Sequence, residues 1–243
     1  MNTPDFAQPG APWKFEALKQ LRVPNAPRVF TAAQWQQWLG RIRPELSELS
    51  ARAFASDLTH GKALHKISQG LYQNLLVQPA VHPMEAAVHL RAGAVISLHS
   101  VLGECGFLNN PSAMVTAVLP TSPSKRPSLG EVHTSGGYRY RFHGLAEKFF
   151  PTNDEEQWMF MQPSRACQVF RPEAAFLHWL HLAGMQRSRM TAPPVDVDMD
   201  MLDDELLKRL AIHWELEPQL AQWTQHALGR GYGQEDTSES PSW

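Results

Sequence analysis

The chain has 243 residues, about four in ten of them hydrophobic, with a formal net charge of -2, so it is long enough for two domains with proper cores. Two cysteines, Cys105 and Cys167, exclude a disulfide framework and are read as thiols of a reducing cytosol. The start of the chain lacks the basic and apolar regions of a signal peptide, and no apolar run reaches the ~18–20 residues of a membrane span; a cytoplasmic protein with no membrane partner is expected.

Charge is unevenly placed. Residues 1–80 carry nine Lys/Arg against five Asp/Glu, a balance of +4, and residues 81–243 carry thirteen against nineteen, a balance of -6. Such asymmetry predicts different tasks for the two parts.

Residues 1–12 contain Pro and Gly and read as a loose arm. Trp13, Phe15, Leu18 and Leu21 recur at helical spacing. A second helix starts after Thr31, a predicted N-cap, carries Trp35, Trp38 and Leu39 on one stripe, and stops at Gly40. A third is predicted with Pro44 in its first turn, Leu49, Phe54 and Leu58 on one face, and Gly61 at its end. The stretch KALHKISQGLYQN (62–74) reads as strand, bend at Gln69–Gly70, strand. Lys66 and Ser68 are expected on one side of it and Ile67 on the other.

Helix, helix, helix, hairpin is the order of a winged helix-turn-helix, here over residues 1–80, in which the third helix enters a major groove. Phosphate neutralisation needs cations, and base edges need short polar groups. Ser50, Arg52, Ser56 and His60 on the third helix, with Lys62, His65, Lys66, Ser68 and Gln69 in the hairpin, are the candidate DNA-binding residues. Of these, Lys62, His65, Lys66 and Gln69 are expected on the backbone or minor groove, and Ser50, Arg52 and Ser56 in the major groove.

Residues 81–228 read as a mixed α/β domain, so the expected class is α+β overall. A short helix near Met84 is followed by a strand turning helical over 95–108, with Ser97 or Ser100 as cap. Residues 113–120 form a strand, and a long polar arm follows, basic at Lys125 and Arg126. A half-exposed strand sets Tyr138, Tyr140 and Phe142 against Arg139, Arg141 and His143. Strong helices follow from Pro172, from near Asp203 and around Trp223. The tail 229–243 reads as disordered.

The aspartate run 196–205 fails as an EF-hand loop, because its sixth and twelfth positions hold Met201 and Leu207. His178 and His181 have a zinc-capable spacing but no third ligand, and read as core histidines. No P-loop, HExxH, GxSxG or dinucleotide fingerprint occurs. No enzyme activity, cofactor or metal is expected.

Four segments in order resemble the AbiEi family of antitoxins and transcriptional regulators from type IV toxin–antitoxin (abortive-infection) systems. LSARAFASDLTHGKALHKISQGLY (49–72) resembles its recognition helix and wing, with Gly70, Leu71 and Tyr72 matching the motif's end. VISLHSVLGECGFL (95–108), YRYRFHGLAEKFF (138–150) and FRPEAAFLHWLHL (170–182) resemble the segments that follow. Family members often carry Lys and Asp where this chain has Ala174 or Ala175 and His178. The resemblance implies a winged helix on double-stranded operator DNA, as monomer or dimer, that represses its own operon. It also implies an antitoxin-type α/β domain that counters a nucleotidyltransferase-like toxin without a stable complex. The residues by themselves leave two other readings open: a protein-interaction module of a phage-defence or regulatory complex without sequence-specific DNA binding, and an enzyme acting on nucleic acid.

Overall fold

The computed structural model describes residues 12–109, 112–122, 128–163, 166–186 and 188–231. Residues 1–11 of the expected N-terminal arm, the basic pair Lys125 and Arg126, and the tail beyond Gly231 lie outside the described residues, while Pro12, assigned to that arm, opens the first helix. The chain is a mixed α+β protein with two small sheets. It divides into two compact units, one running to Ala92 and taking in Val132–Arg139, the other made of Gly93–Glu131 and the chain from Tyr140 on. Among the described residues, no helix is long and apolar enough to cross a membrane.

The first unit is built in the order α1 (Pro12–Gln20), β1 (Val29–Thr31), α2 (Ala32–Ile42), α3 (Glu48–His60), β2 (Leu64–Ser68) and β3 (Leu71–Asn74). Thr31 opens α2 through a capping box: its hydroxyl accepts from Gln34 N–H at 3.2 Å, and Gln34 Oε1 accepts from Thr31 N–H at 2.8 Å, so two orphan donors of the first turn are satisfied. Gly40 does not stop this helix, which runs on to Ile42. Pro44 does not open α3 either. Ser47 does, its hydroxyl accepting from Ser50 N–H at 3.2 Å.

The three strands are antiparallel in the order β1–β3–β2. Gly70 turns the β2–β3 hairpin at φ +71°, a conformation that glycine adopts without steric cost. Strict alternation would bury every second residue of β2, yet Leu64 and Ile67 are both buried. A register shift between Lys66 and Ser68 accounts for this, since a bulge changes which face later residues take. Ile67 still opposes Lys66 and Ser68 in burial. The core between helices and sheet is aromatic: Phe30 and Trp35 stack at 5.2 Å, and Trp13 meets Phe54 edge-on at 5.0 Å.

A buried carboxylate fastens the end of this unit. Glu85, in a 3₁₀ turn before α4 (Ala87–Leu90), accepts from Arg28 Nε at 2.7 Å and from an Arg28 terminal nitrogen at 2.8 Å, and accepts His82 N–H at 2.8 Å. Arg28 also donates to the carbonyls of Pro79 and Ala80. Glu85→Ala would leave the guanidinium without its anion. We expect a loss near the lower end of roughly 3–5 kcal/mol, because the Arg28 side chain retains 22% exposure. Denaturant unfolding of the variant measures it, and an unchanged midpoint would refute the role.

Residues Val132–Arg139 complete the first unit. Ser135 donates to the Ile67 carbonyl from its N–H at 2.9 Å and from its hydroxyl at 3.0 Å. Gly136 lies so close to the hairpin that a Cβ there would sit 2.5 Å from His65 Nε2, so a side chain at this position would displace the His65 ring.

The second unit contains β4 (Val95–Ile96), α5 (His99–Glu104), β5 (Met114–Pro120), α6 (Asp154–Phe160), α7 (Pro172–Gly184), α8 (Asp204–Trp214) and α9 (Glu217–Gly231). Its sheet has the order β4–β5–β7–β6, where β6 is Ser128–His133 and β7 is Arg139–Leu145. Helix α7 is buried all round from Glu173 to Leu180, as an apolar sequence without a polar stripe requires. Asp203 caps α8 by accepting from Leu206 N–H, and buried Glu173 accepts from Asp203 N–H at 3.0 Å.

Three expectations here are corrected. Neither Ser97 nor Ser100 caps α5. Leu98 precedes it at φ 61° with no side-chain cap, while Ser97 bonds to His178 and Ser100 exchanges hydrogen bonds with Thr116. His143 is buried rather than on an exposed face, because β7 is covered on both sides from Phe142 onward. The final helix runs to Gly231, past the expected start of the tail.

Candidate nucleic-acid interface

On α3 the buried residues are Ala51, Phe54, Ala55 and Leu58, an i, i+3, i+4, i+7 strip. At about 100° per residue, the ridge directly opposite is Leu49, Ala53, Ser56 and His60, all exposed. Ser56 and His60 therefore stand where the sequence placed them. Ser50 and Arg52 are exposed but lie on the flanks of the ridge. Leu49 is a correction: it is 79% exposed and belongs to the ridge, not to the face of Phe54 and Leu58. Five residues separate Leu49 from Phe54, which carries it about 140° round the helix.

Several polar groups on α3 are engaged locally. Arg52 pairs with Glu48 one turn earlier, Asp57 pairs with Lys14 at 3.4 Å, and Ser50 accepts a hydrogen bond from the Ser47 hydroxyl at 3.0 Å. His60 Nδ1 is 2.8 Å from the Ser56 carbonyl oxygen, and Ser56 itself is exposed. The described residues of α3 thus offer hydroxyl, methyl and imidazole groups with no unpaired cation.

The cations come from the hairpin. Lys62 follows the end of α3 at φ 57°, a left-handed conformation that a side chain rarely adopts and that the tight turn into β2 imposes. Lys66 projects from the middle of β2, and Gln69 stands exposed beside Gly70. His65 and Ser68 are half-buried; Gly136 crowds the first. Lys62 and Lys66 are exposed and make no ion pair among the described residues. Arg139, which the sequence placed on a strand of the other part, joins this unit, exposed and likewise unpaired. No local signal marked it.

In the second unit His143 and His178 are buried and His99 and His181 half-buried, and desolvation disfavours the charged form of all four. His178 is fully enclosed: its Nδ1 lies 3.0 Å from Ser97 Oγ, and its Nε2 has no hydrogen-bond partner among the rings of Phe149, Phe170 and Trp214. Desolvation, with a smaller contribution from His181, lowers its pKa to about 3. His143 is lowered to about 4 by desolvation and then by the Arg141 guanidinium, and His99 to about 4 by the same causes. His181 is lowered by desolvation and by Lys148. The aspartate run is dispersed into structural tasks: Asp196 accepts from Asn109, Asp203 caps α8, and Asp204 pairs with Lys208. Among the described residues, no three His, Cys, Asp or Glu side chains converge as metal ligands. A groove of about 640 Å³ opens along α8 and α9, walled mainly by Val195, Met199, Leu207, Leu220, Trp223 and Leu228.

No family model and no curated protein matches the chain. In fold it is similar to the RV2827C protein from Mycobacterium tuberculosis, whose crystal structure shares 16% identity, a TM-score of 0.51, 99% of this chain and 88% of that chain. At that identity the likeness is one of fold, and it extends over both units.

Proposed function

We propose that the first unit is a winged helix-turn-helix bound to double-stranded operator DNA, with α3 in the major groove and the β2–β3 hairpin as the wing. The order α1–β1–α2–α3–β2–β3 with the sheet β1–β3–β2 is the observation that carries this reading. In that topology the outward ridge of the third helix is the surface presented to base edges. An uncharged ridge followed by unpaired Lys62 and Lys66 suits a division of labour, in which phosphates are held by the hairpin and bases met by the helix.

On this reading the chain is a transcriptional repressor of its own operon. As a member of the type it resembles, it counteracts a nucleotidyltransferase-like toxin through the second unit. Growth rescue on co-expression with such a toxin tests that part, and failure to rescue would remove it.

The direct test is a salt titration of binding to the DNA upstream of its own gene, against a scrambled duplex of equal length. Lys66→Glu should weaken binding severalfold on every sequence and reduce the log–log salt slope by about 0.9, the value for one phosphate no longer neutralised. Unchanged affinity in the folded variant would sink the assignment of the wing. Absence of any binding at low salt would sink the DNA reading itself.

A further inference from the structure

We propose that α3 recognises thymine, by packing Leu49 and Ala53 against C5-methyl groups in the major groove. The inference rests on the DNA-binding reading above and names what its helix selects. Leu49 is 79% exposed in the first turn of α3, and in helix-turn-helix docking the N-terminal residues of the second helix are those that meet base edges. Ala53 lies one turn further along the same ridge, also exposed, with Ser56 and His60 continuing it. The core of the unit uses the opposite strip of Ala51, Phe54, Ala55 and Leu58, so Leu49 is not among the residues that α3 buries.

Charge fits the same occupant. Glu48 and Asp57, which would repel phosphate, are paired with Arg52 and Lys14. The residues directly after the helix supply unpaired Lys62 and Lys66. The apolar end of the ridge, Leu49 and Ala53, near the free cations of the hairpin is complementary to a groove floor bearing methyl groups between two phosphate rows. Among the base edges of the major groove, the apolar one is the thymine methyl, and cytosine lacks it.

The experiment compares the upstream duplex made with thymidine against the same duplex made with deoxyuridine, which removes the methyl alone. The full chain should bind the deoxyuridine duplex about fourfold more weakly for each methyl group that the ridge covers. Leu49→Ser should melt at the wild-type temperature, bind the thymidine duplex more weakly by a similar factor, and lose most of the difference between the two duplexes. Equal wild-type affinity for both duplexes, with the upstream sequence still preferred over the scrambled one, would overturn thymine recognition and leave the DNA reading intact. Binding to neither would overturn both. Sedimentation of the two proteins covers the other candidate occupant: conversion of a dimer to a monomer by Leu49→Ser would place Leu49 in a self-association interface and overturn the proposal.

Discussion

Trp35→Ala should cost the first unit roughly 3–5 kcal/mol, the range for removing a buried tryptophan. Trp35 is 2% exposed. Its ring stacks on Phe30 and Trp38 at 5.2 Å and on Phe54 at 5.8 Å, and its Nε1–H donates to the Ala51 carbonyl of α3 at 2.9 Å. The side chain therefore ties α2 to α3 and both helices to β1. Its loss is a large share of the roughly 5–15 kcal/mol that stabilises a typical domain. Denaturant unfolding should show an early transition in the variant, and DNA affinity should fall with the folded fraction. Trp35→Phe separates the two contributions: the stack persists, the N–H is lost, and the expected cost is about 1 kcal/mol. A Trp35→Ala protein as stable as the wild type would show that α2 and α3 hold together without this residue.

Acid should destabilise the second unit well above the pH at which carboxylates protonate. His178 titrates at about 3 in the folded chain, and His143 and His99 at about 4, against about 6.5 for an exposed imidazole. The folded-state values are depressed, so as pH falls below about 6.5 the unfolded chain takes up protons that the folded chain refuses. Stability is fully present above about pH 6.5 and is lost on the way down toward pH 4–3. Each histidine contributes up to about 1.4 kcal/mol per pH unit in that window, and the partly exposed His99 contributes less because water screens it.

Fluorescence of buried Trp179 and Trp214 during denaturant titrations at about pH 7, 6 and 5, spanning the unfolded imidazole pKa, should show a falling midpoint. His178→Leu, which removes one of these protons, should flatten the dependence. Equal midpoints at the two ends of that range would mean that the imidazoles reach water in the folded state.

Part of the candidate site was legible in the residues themselves. Thr31 announces the start of α2, and Gly61 and Gly70 punctuate the end of α3 and the hairpin, because caps and tight turns are set by neighbours in the chain; the partner role of Gln34 was added by the structure. The alternation of Ile67 with Lys66 and Ser68 is equally local. Ser56 and His60 could be placed on the outer face of α3 once Phe54 and Leu58 were on the inner one. Leu49 was misplaced because its apolar character groups it with Phe54 and Leu58, although five residues at about 100° each set it about 140° from Phe54. The helix begins at Glu48 by virtue of Ser47, not at Pro44, and that start sets the phase of the first turn.

Other features depended on partners distant in sequence. Arg139, at the start of β7, joins the first unit with the segment whose Ser135 bonds to Ile67 across 68 residues. His143 occupies a position that alternation assigns to water, yet the strand is covered on both faces there. Ser97, a good helix cap by its chemistry, is instead hydrogen-bonded to His178, 81 residues on. Local hydrogen bonding and side-chain periodicity are properties of contiguous residues, so the sequence by itself determined the three helices and the hairpin of the first unit and the outward placement of Ser56 and His60 on α3. Burial and the lowered histidine pKa values arise from segments that meet only on folding, and the tertiary structure alone decided which histidines are enclosed and which strand residues are covered on both faces.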